Sequence, residues 1–144
     1  MMEILPSHLP DLPILRRIEK TCFSKDAWPL LDLIAVLTWP GVVRLKAVEA
    51  DRMVGFIAGD PRPSEDLAWI ATLAVLPEYQ QRGFGRALLQ ACEQRLSQKR
   101  IRLCVRITNQ TAIALYEKEG YLPLDTWREY YNDKESALVM EKIR

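Results

Sequence analysis

Residue types that can do chemistry are densest in one stretch, Leu73-Ala74-Val75-Leu76-Pro77-Glu78-Tyr79-Gln80-Gln81-Arg82-Gly83-Phe84-Gly85-Arg86. An apolar run from Leu67 to Leu76 is closed by Pro77, and a helical stripe begins at Phe84, so the segment reads as strand, turn and helix. Glycines at 83 and 85 let the backbone approach a ligand closely. The first turn of the helix offers unpaired N–H groups with a partial positive charge, which suits a phosphate. Arg82 and Arg86 add full charges and favour a pyrophosphate over a lone carboxylate. Because a Gly-x-Gly also occurs where glycine merely bends a strand into a helix, this fragment by itself supports both readings.

A second block lies downstream, directly after a strand: Asn109-x-x-Ala112-x-x-Leu115-Tyr116-x-x-x-Gly120-Tyr121. Together with Gln80-x-x-Gly83-x-Gly85 it resembles the GNAT N-acetyltransferase superfamily, with both motifs in the right order. The likeness runs over nearly the whole chain and is thinnest before Val42. It is nearest to the protein N-terminal acetyltransferases, including those acting on ribosomal-protein alanine. Val105-Arg106, Asn109, Ala112-Ile113-Ala114-Leu115-Tyr116-Glu117, Gly120-Tyr121, Arg128-x-Tyr130-Tyr131 and Ala137-Leu138-Val139-Met140 recur there. The resemblance implies a single GNAT acetyltransferase domain over residues 1–144. Its class is α/β (α+β), with a mixed, mostly antiparallel sheet of about six to seven strands flanked by about four helices. It also implies acetyl-CoA as cofactor and an amine acceptor, foremost the α-amine of a protein or peptide N-terminus attacking directly in a ternary complex. A small-molecule amine acetyltransferase and a CoA-binding regulatory module with little turnover are the alternatives.

By the same resemblance, the backbone of Leu73, Ala74 and Val75 pairs with the pantetheine arm like an added strand, and an N–H there polarises the thioester carbonyl. Their side chains fill the core in either case. Gln80, Gln81, Arg82, Gly83, Phe84, Gly85 and Arg86 match the pyrophosphate cradle. Asn109 matches a cofactor contact near the reacting end, and is equally suited to cap a helix. Tyr116 matches the tyrosine that protonates the departing thiolate; spacing alone makes it a core aromatic beside Leu115. On the acceptor side, Tyr130 and Tyr131 match a pair that flanks the peptide N-terminus, with Trp28, placed in a helical segment, as the other wall. Ordinary packing is the competing reading for these three.

Cys104 departs from the pattern, because the resembling enzymes often carry Glu or His there as proton acceptor. A second position used by relatives, a tyrosine on the central strand, is taken by Trp69. Cys104 is then a small apolar filler, a site for a water that relays the proton onward, or a nucleophile. Glu65, Asp66, Asp26, Asp32 and Glu129 are the candidate relay carboxylates, and His8 reads as a surface residue. An α-amine with a pKa of about 7.7 to 8.0 is roughly 10 to 17% neutral at pH 7, against ~0.04% for lysine. A weak base therefore harms an α-amine acceptor least.

The elements that must hold these groups follow from periodicity. Leu9 to Phe23 has helical spacing through Leu12, Leu15, Ile18 and Cys22, and Leu30 to Leu37 reads as a second helix. Val42 to Glu49 and Met53 to Ala58, joined at Ala50-Asp51-Arg52, form an antiparallel hairpin ended by Pro61, Pro63 and Ser64. Leu67 to Leu76 is a central strand covered on both faces. A helix spans Gly85 to about Gln98, and Ile101 to Ile107 alternates as a strand. A helix from Asn109 to Glu119 ends at Gly120, and Tyr121 to Tyr130 with Ala137 to Ile143 closes the chain as a hairpin. The early part thus gives two helices and then the hairpin, with no strand before them.

Composition limits the partners. The 144 residues, 49% hydrophobic, suffice for one core. Charge nearly cancels, 20 Lys plus Arg against 19 Asp plus Glu, so no global field draws nucleic acid or an anionic membrane. Cys22, Cys92 and Cys104 lack metal-site or disulfide-scaffold spacing. The expectation is a protein of a reducing cytoplasm with no metal, no membrane span and no signal peptide; the oligomeric state is left open.

Overall fold

The computed structural model describes residues 2–144. Seven strands and four α-helices follow one another as β1 (Met2–Pro6), α1 (Leu12–Cys22), α2 (Leu30–Thr38), β2 (Val43–Glu49), β3 (Arg52–Arg62), β4 (Leu67–Val75), α3 (Phe84–Arg95), β5 (Arg100–Arg106), α4 (Gln110–Lys118), β6 (Leu122–Trp127) and β7 (Ala137–Ile143). The sheet order is β1-β2-β3-β4-β5-β7-β6. Its pairings are antiparallel at β1/β2, β2/β3, β5/β7 and β6/β7 and parallel at β4/β5, giving the mixed α/β layout expected. Contacts divide the chain into two compact units: residues up to Asp60 with Ala71–Ser97, and Pro61–Ile70 with Gln98–Arg144.

In the first unit, α1 starts with Pro13 in its first turn, where a missing N–H costs nothing, and buries Leu15, Ile18 and Glu19. A carboxylate on the apolar face is unusual. The β2–β3 hairpin turns through Ala50 and Asp51, both at positive φ (50° and 62°), which matches the right-handed twist of the strands. β3 runs on to Arg62 instead of ending before Pro61. Its register with β2 is finished by Val43↔Gly59, so on that side the proline leaves no ladder bond unmade. The strand β1, absent from the periodicity reading, pairs from Met2↔Glu49 to Pro6↔Leu45; its five residues alternate half-buried and exposed only as far as Leu5, too short a run to announce a strand. Phe84, Leu88, Leu89 and Cys92 of α3 are buried. That helix ends at Arg95 instead of near Gln98, because Leu96 turns extended (φ −98°, ψ 133°) and buries its side chain.

In the second unit, the β4/β5 ladder comprises Leu67↔Arg100, Ala68↔Ile101 and Trp69↔Arg102. β5 pairs with β7 along its whole length, Arg100↔Ile143 to Arg106↔Ala137. Ile101, Leu103 and Val105 point into the core, while Ile107 lies beyond the strand and is 39% exposed. β4 alternates buried and half-buried residues, so it is not covered equally on both faces. β6 ends at Trp127, short of Tyr130. Glu129 sits at φ 51°, a left-handed residue that breaks the extended run.

Candidate functional site

In the first unit, the turn after β4 is built as a glycine-bent helix entry. Gly83 is the N-cap of α3 in the left-handed conformation (φ 89°), and no side chain caps the helix there. A Cβ built on Gly83 would meet nothing within 4 Å, so the space above the first turn is open. Gln81 is also left-handed (φ 61°), and Gln81, Arg82 and Arg86 are exposed. The Arg82 guanidinium lies over the rings of Tyr79 (5.2 Å) and Phe84 (5.6 Å), which hold its charge at the turn. Phe84 is buried and anchors the helix. These features fit an anionic diphosphate through backbone amides, the helix dipole and two guanidinium groups.

Leu73, Ala74 and Val75 form the end of β4, past the last ladder pair with β5 at Trp69↔Arg102. The Val75 carbonyl accepts from the Gln80 side-chain amide (2.9 Å) and from the Cys22 thiol (3.3 Å). Gln80 therefore secures the turn to the strand end. Trp28 is half-buried but outside any helix, in the segment between α1 and α2. Pro29 follows it, and the residue before a proline is disfavoured in helical conformation.

The second unit holds Cys104, Asn109, Tyr116, Tyr130 and Tyr131. Asn109 is a helix cap, its Oδ1 accepting from the Ala112 amide at 3.2 Å. Tyr116 is 8% exposed and stacks edge-on with Tyr121 at 6.0 Å. Burial first, and the charge of Tyr131 second, hold its phenol well above the ordinary tyrosine range. Such a group keeps its proton at neutral pH, as a general acid must. Cys104 faces Val139 across the β5/β7 ladder, and burial pushes its thiol up to about 11. A thiol so shifted keeps its proton at neutral pH, which disfavours the nucleophile and is compatible with both the filler and the water-site readings.

Tyr130 and Tyr131 sit in the β6–β7 loop and meet edge-to-face at 5.1 Å. Tyr130 continues through Trp127 (5.3 Å) to Trp69 (6.0 Å). Arg106, quoted in the motif with Val105 but given no role there, lies 4.2 Å over the Tyr131 ring. Its Nη1 donates to Asp133 (3.0 Å) and Glu135 (3.2 Å) of the same loop. Alternation had placed Arg106 opposite the core face of β5; only the distant loop carboxylates reveal its task.

The proposed relay carboxylates are not preorganised as bases. Glu65, Asp66, Asp32 and Glu129 are exposed, Asp26 is half-buried, and Asp66 accepts from the Lys99 amide at 3.0 Å. His8 is exposed as expected. Two buried carboxylates were not anticipated, Glu93 on α3 and, fully buried, Glu19 on α1. Thr72 Oγ1 donates to its Oε2 at 2.9 Å, and the Trp28 backbone N–H donates to the same carboxyl group. Its position four residues after Leu15 and one after Ile18, on the apolar stripe of α1, was the available signal.

With this geometry in place, comparison with known proteins defines the class. The profile of the acetyltransferase (GNAT) family matches residues 12–121, and the chain belongs to that family. It is similar to the N-alpha-acetyltransferase of Sulfurisphaera tokodaii, 37% identical over 75 residues that cover 49% of this chain and 45% of that protein. It is also similar to the ribosomal-protein alanine N-acetyltransferase of Escherichia coli, 38% identical over 81 residues that cover 52% of this chain and 55% of that one. The chain thus spans about half the length of these curated relatives. The crystal structure of the ribosomal-protein alanine N-acetyltransferase from Escherichia coli superposes with a TM-score of 0.90 at 28% identity, over 99% of this chain and 94% of that one.

Proposed function

We propose that the chain is an acetyl-CoA-dependent N-acetyltransferase, a single acetyltransferase domain over residues 1–144, whose acceptor is the α-amine of a protein or peptide N-terminus. The observation that carries this reading is the uncapped, left-handed glycine entry to α3, open above its first turn. The names of its relatives, an N-alpha-acetyltransferase and a ribosomal-protein alanine N-acetyltransferase, favour an α-amine over a small-molecule acceptor.

When bound, acetyl-CoA supplies the acetyl thioester. The amides at the start of α3, with Arg82 and Arg86, hold the diphosphate, and the backbone of Leu73, Ala74 and Val75 orients the arm. Tyr116 keeps a proton at its hydroxyl and would be the group to supply it to a leaving thiolate. Tyr130 and Tyr131 in the second unit, and Trp28 in the first, are each assigned to the acceptor by the family resemblance. The test is incubation with acetyl-CoA and a library of peptides with free N-termini, read by mass spectrometry. Acetyl groups on N-terminal amines are expected. Modification of polyamines alone, or cofactor binding with no turnover on any amine, overturns the acceptor or the enzyme.

A further inference from the structure

Within the second unit, cross-strand pairing defines one face of the sheet. Trp69 stands opposite Arg102, Cys104 opposite Val139 and Arg106 opposite Ala137, and Ala137 opposite Trp127. Directly paired residues, and alternate residues of one strand, project to the same side. Trp69 on β4 and Trp127 on β6 therefore share a face, with β5 and β7 lying between their strands. Their ring centroids are nevertheless only 6.0 Å apart. The two rings reach that distance by leaning over β5 and β7, across the small side chains of Cys104, Val139 and Ala137. On the opposite face of β5, Ile101, Leu103 and Val105 are buried. On the bridged face Arg102, Cys104 and Arg106 are only half-buried, although β5 has a neighbour on each side. Solvent therefore reaches the middle of this face.

The bridge keeps surface that another molecule can cover. Trp69 and Trp127 are half-buried, and Tyr130 is 54% exposed, its ring 5.3 Å from Trp127. The two guanidinium groups flanking Cys104 on β5 are both engaged, Arg102 by Glu141 at 2.6 Å and Arg106 by Asp133 and Glu135. A charged side chain laid on the rings would shed water where the counter-charges are already taken. A carboxylate would also meet the negative faces of the rings. A long apolar side chain gains instead, through dispersion and, for a thioether, sulfur–ring contact.

We propose that Trp69 and Trp127 determine acceptor specificity: their bridge, continued by Tyr130, receives the side chain of the acceptor's first residue and selects methionine or leucine over alanine and aspartate. This rests on the acetyltransferase reading above and names the acceptor class within it. Tyr130 is the link, because the resemblance assigns it to the acceptor and its ring is the direct neighbour of Trp127.

The experiment offers the intact chain acetyl-CoA and short peptides that differ only in the first residue: methionine, leucine, alanine, aspartate or lysine. In the wild type, kcat/KM for methionine and leucine should exceed that for alanine about tenfold, with aspartate below alanine. Trp127→Ala should bring the methionine-to-alanine ratio to about one. Trp127→Leu, which keeps apolar bulk on the edge strand β6, should restore part of it. Both rates come from one preparation, so a purely structural defect lowers them together and leaves their ratio as it was. If Trp127→Ala does not fold, the wild-type ranking and Trp127→Leu decide the matter. The proposal is overturned, with the acetyltransferase reading left intact, by any of three results. These are alanine or aspartate equal to methionine in the wild type, a ratio unchanged in folded Trp127→Ala, or a ranking led by lysine, which would mark a cation platform. A wild-type chain that acetylates no amine overturns both.

Discussion

At the scale of single residues, the chemistry depends on which groups hold protons. Tyr116 is buried and its phenol is raised, first by desolvation and then by Tyr131. Tyr116→Phe should cut kcat about a hundredfold while acetyl-CoA affinity, measured by calorimetry, stays unchanged; an unaltered rate removes its acid role. Cys104 gives the opposite expectation. A thiol at about 11 has a thiolate fraction on the order of one in ten thousand at pH 7. Cys104→Ala should therefore retain turnover, and alkylation of the native thiol at pH 7 should be far slower than in urea. The glycine-bent entry to α3 and the helix carrying Tyr116 were legible in the sequence because their spacing is local. The burial of Glu19 was not, because a charged residue on α1 is assigned to solvent unless its place on the stripe with Leu15 and Ile18 is weighed against its charge.

At the scale of elements, two glycines do different work. A Cβ at Gly59 would stand 2.8 Å from the Cys92 Sγ and 3.1 Å from Leu96 Cδ1, in the packing of α3 on β3. Gly59→Ala should cost about 1–3 kcal/mol in urea unfolding through overpacking, with acetyl-CoA affinity retained by the folded fraction. At Gly83 there is room, but φ is 89°, so Gly83→Ala should cost about 1–2 kcal/mol and weaken acetyl-CoA binding as well. Arg106 ties β5 to the β6–β7 loop through Asp133 and Glu135. Arg106→Ala should raise KM for the peptide acceptor and speed proteolysis within residues 128–136, leaving cofactor affinity unchanged. Strongly periodic elements such as α3 and β5 were readable. The ends were not: Pro29 keeps Trp28 out of a helix, the left-handed Glu129 keeps the chain beyond Trp127 from extending β6, and β1 is too short for its alternation to announce it.

At the scale of the whole chain, the seven-stranded sheet and four helices agree with the layout implied by two short motifs. A net charge of +1 and, among the described residues, no helix long and apolar enough to cross a membrane accompany that fold. Alkaline stability is a property of the chain as a unit. The thiols of Cys22 and Cys104 are each raised from 9.0 to about 11, so they ionise more readily once unfolded. Stability should hold below about pH 9 and fall as pH climbs toward 11. Melting curves over that window should be flatter for the Cys22→Ala, Cys104→Ala double variant; curves parallel to wild type would contradict the assignment.

The Val75 carbonyl, met by both an amide and a thiol, has a consequence for electrostatics at the strand's end. A lone carbonyl oxygen turns its negative pole on any charge growing nearby. One whose lone pairs are both engaged has that pole muted, so the strand's end can sit beside an oxygen gaining electrons with less repulsion. Under the proposed function, helix α1 would then aid the transfer by quieting a dipole that would otherwise oppose it.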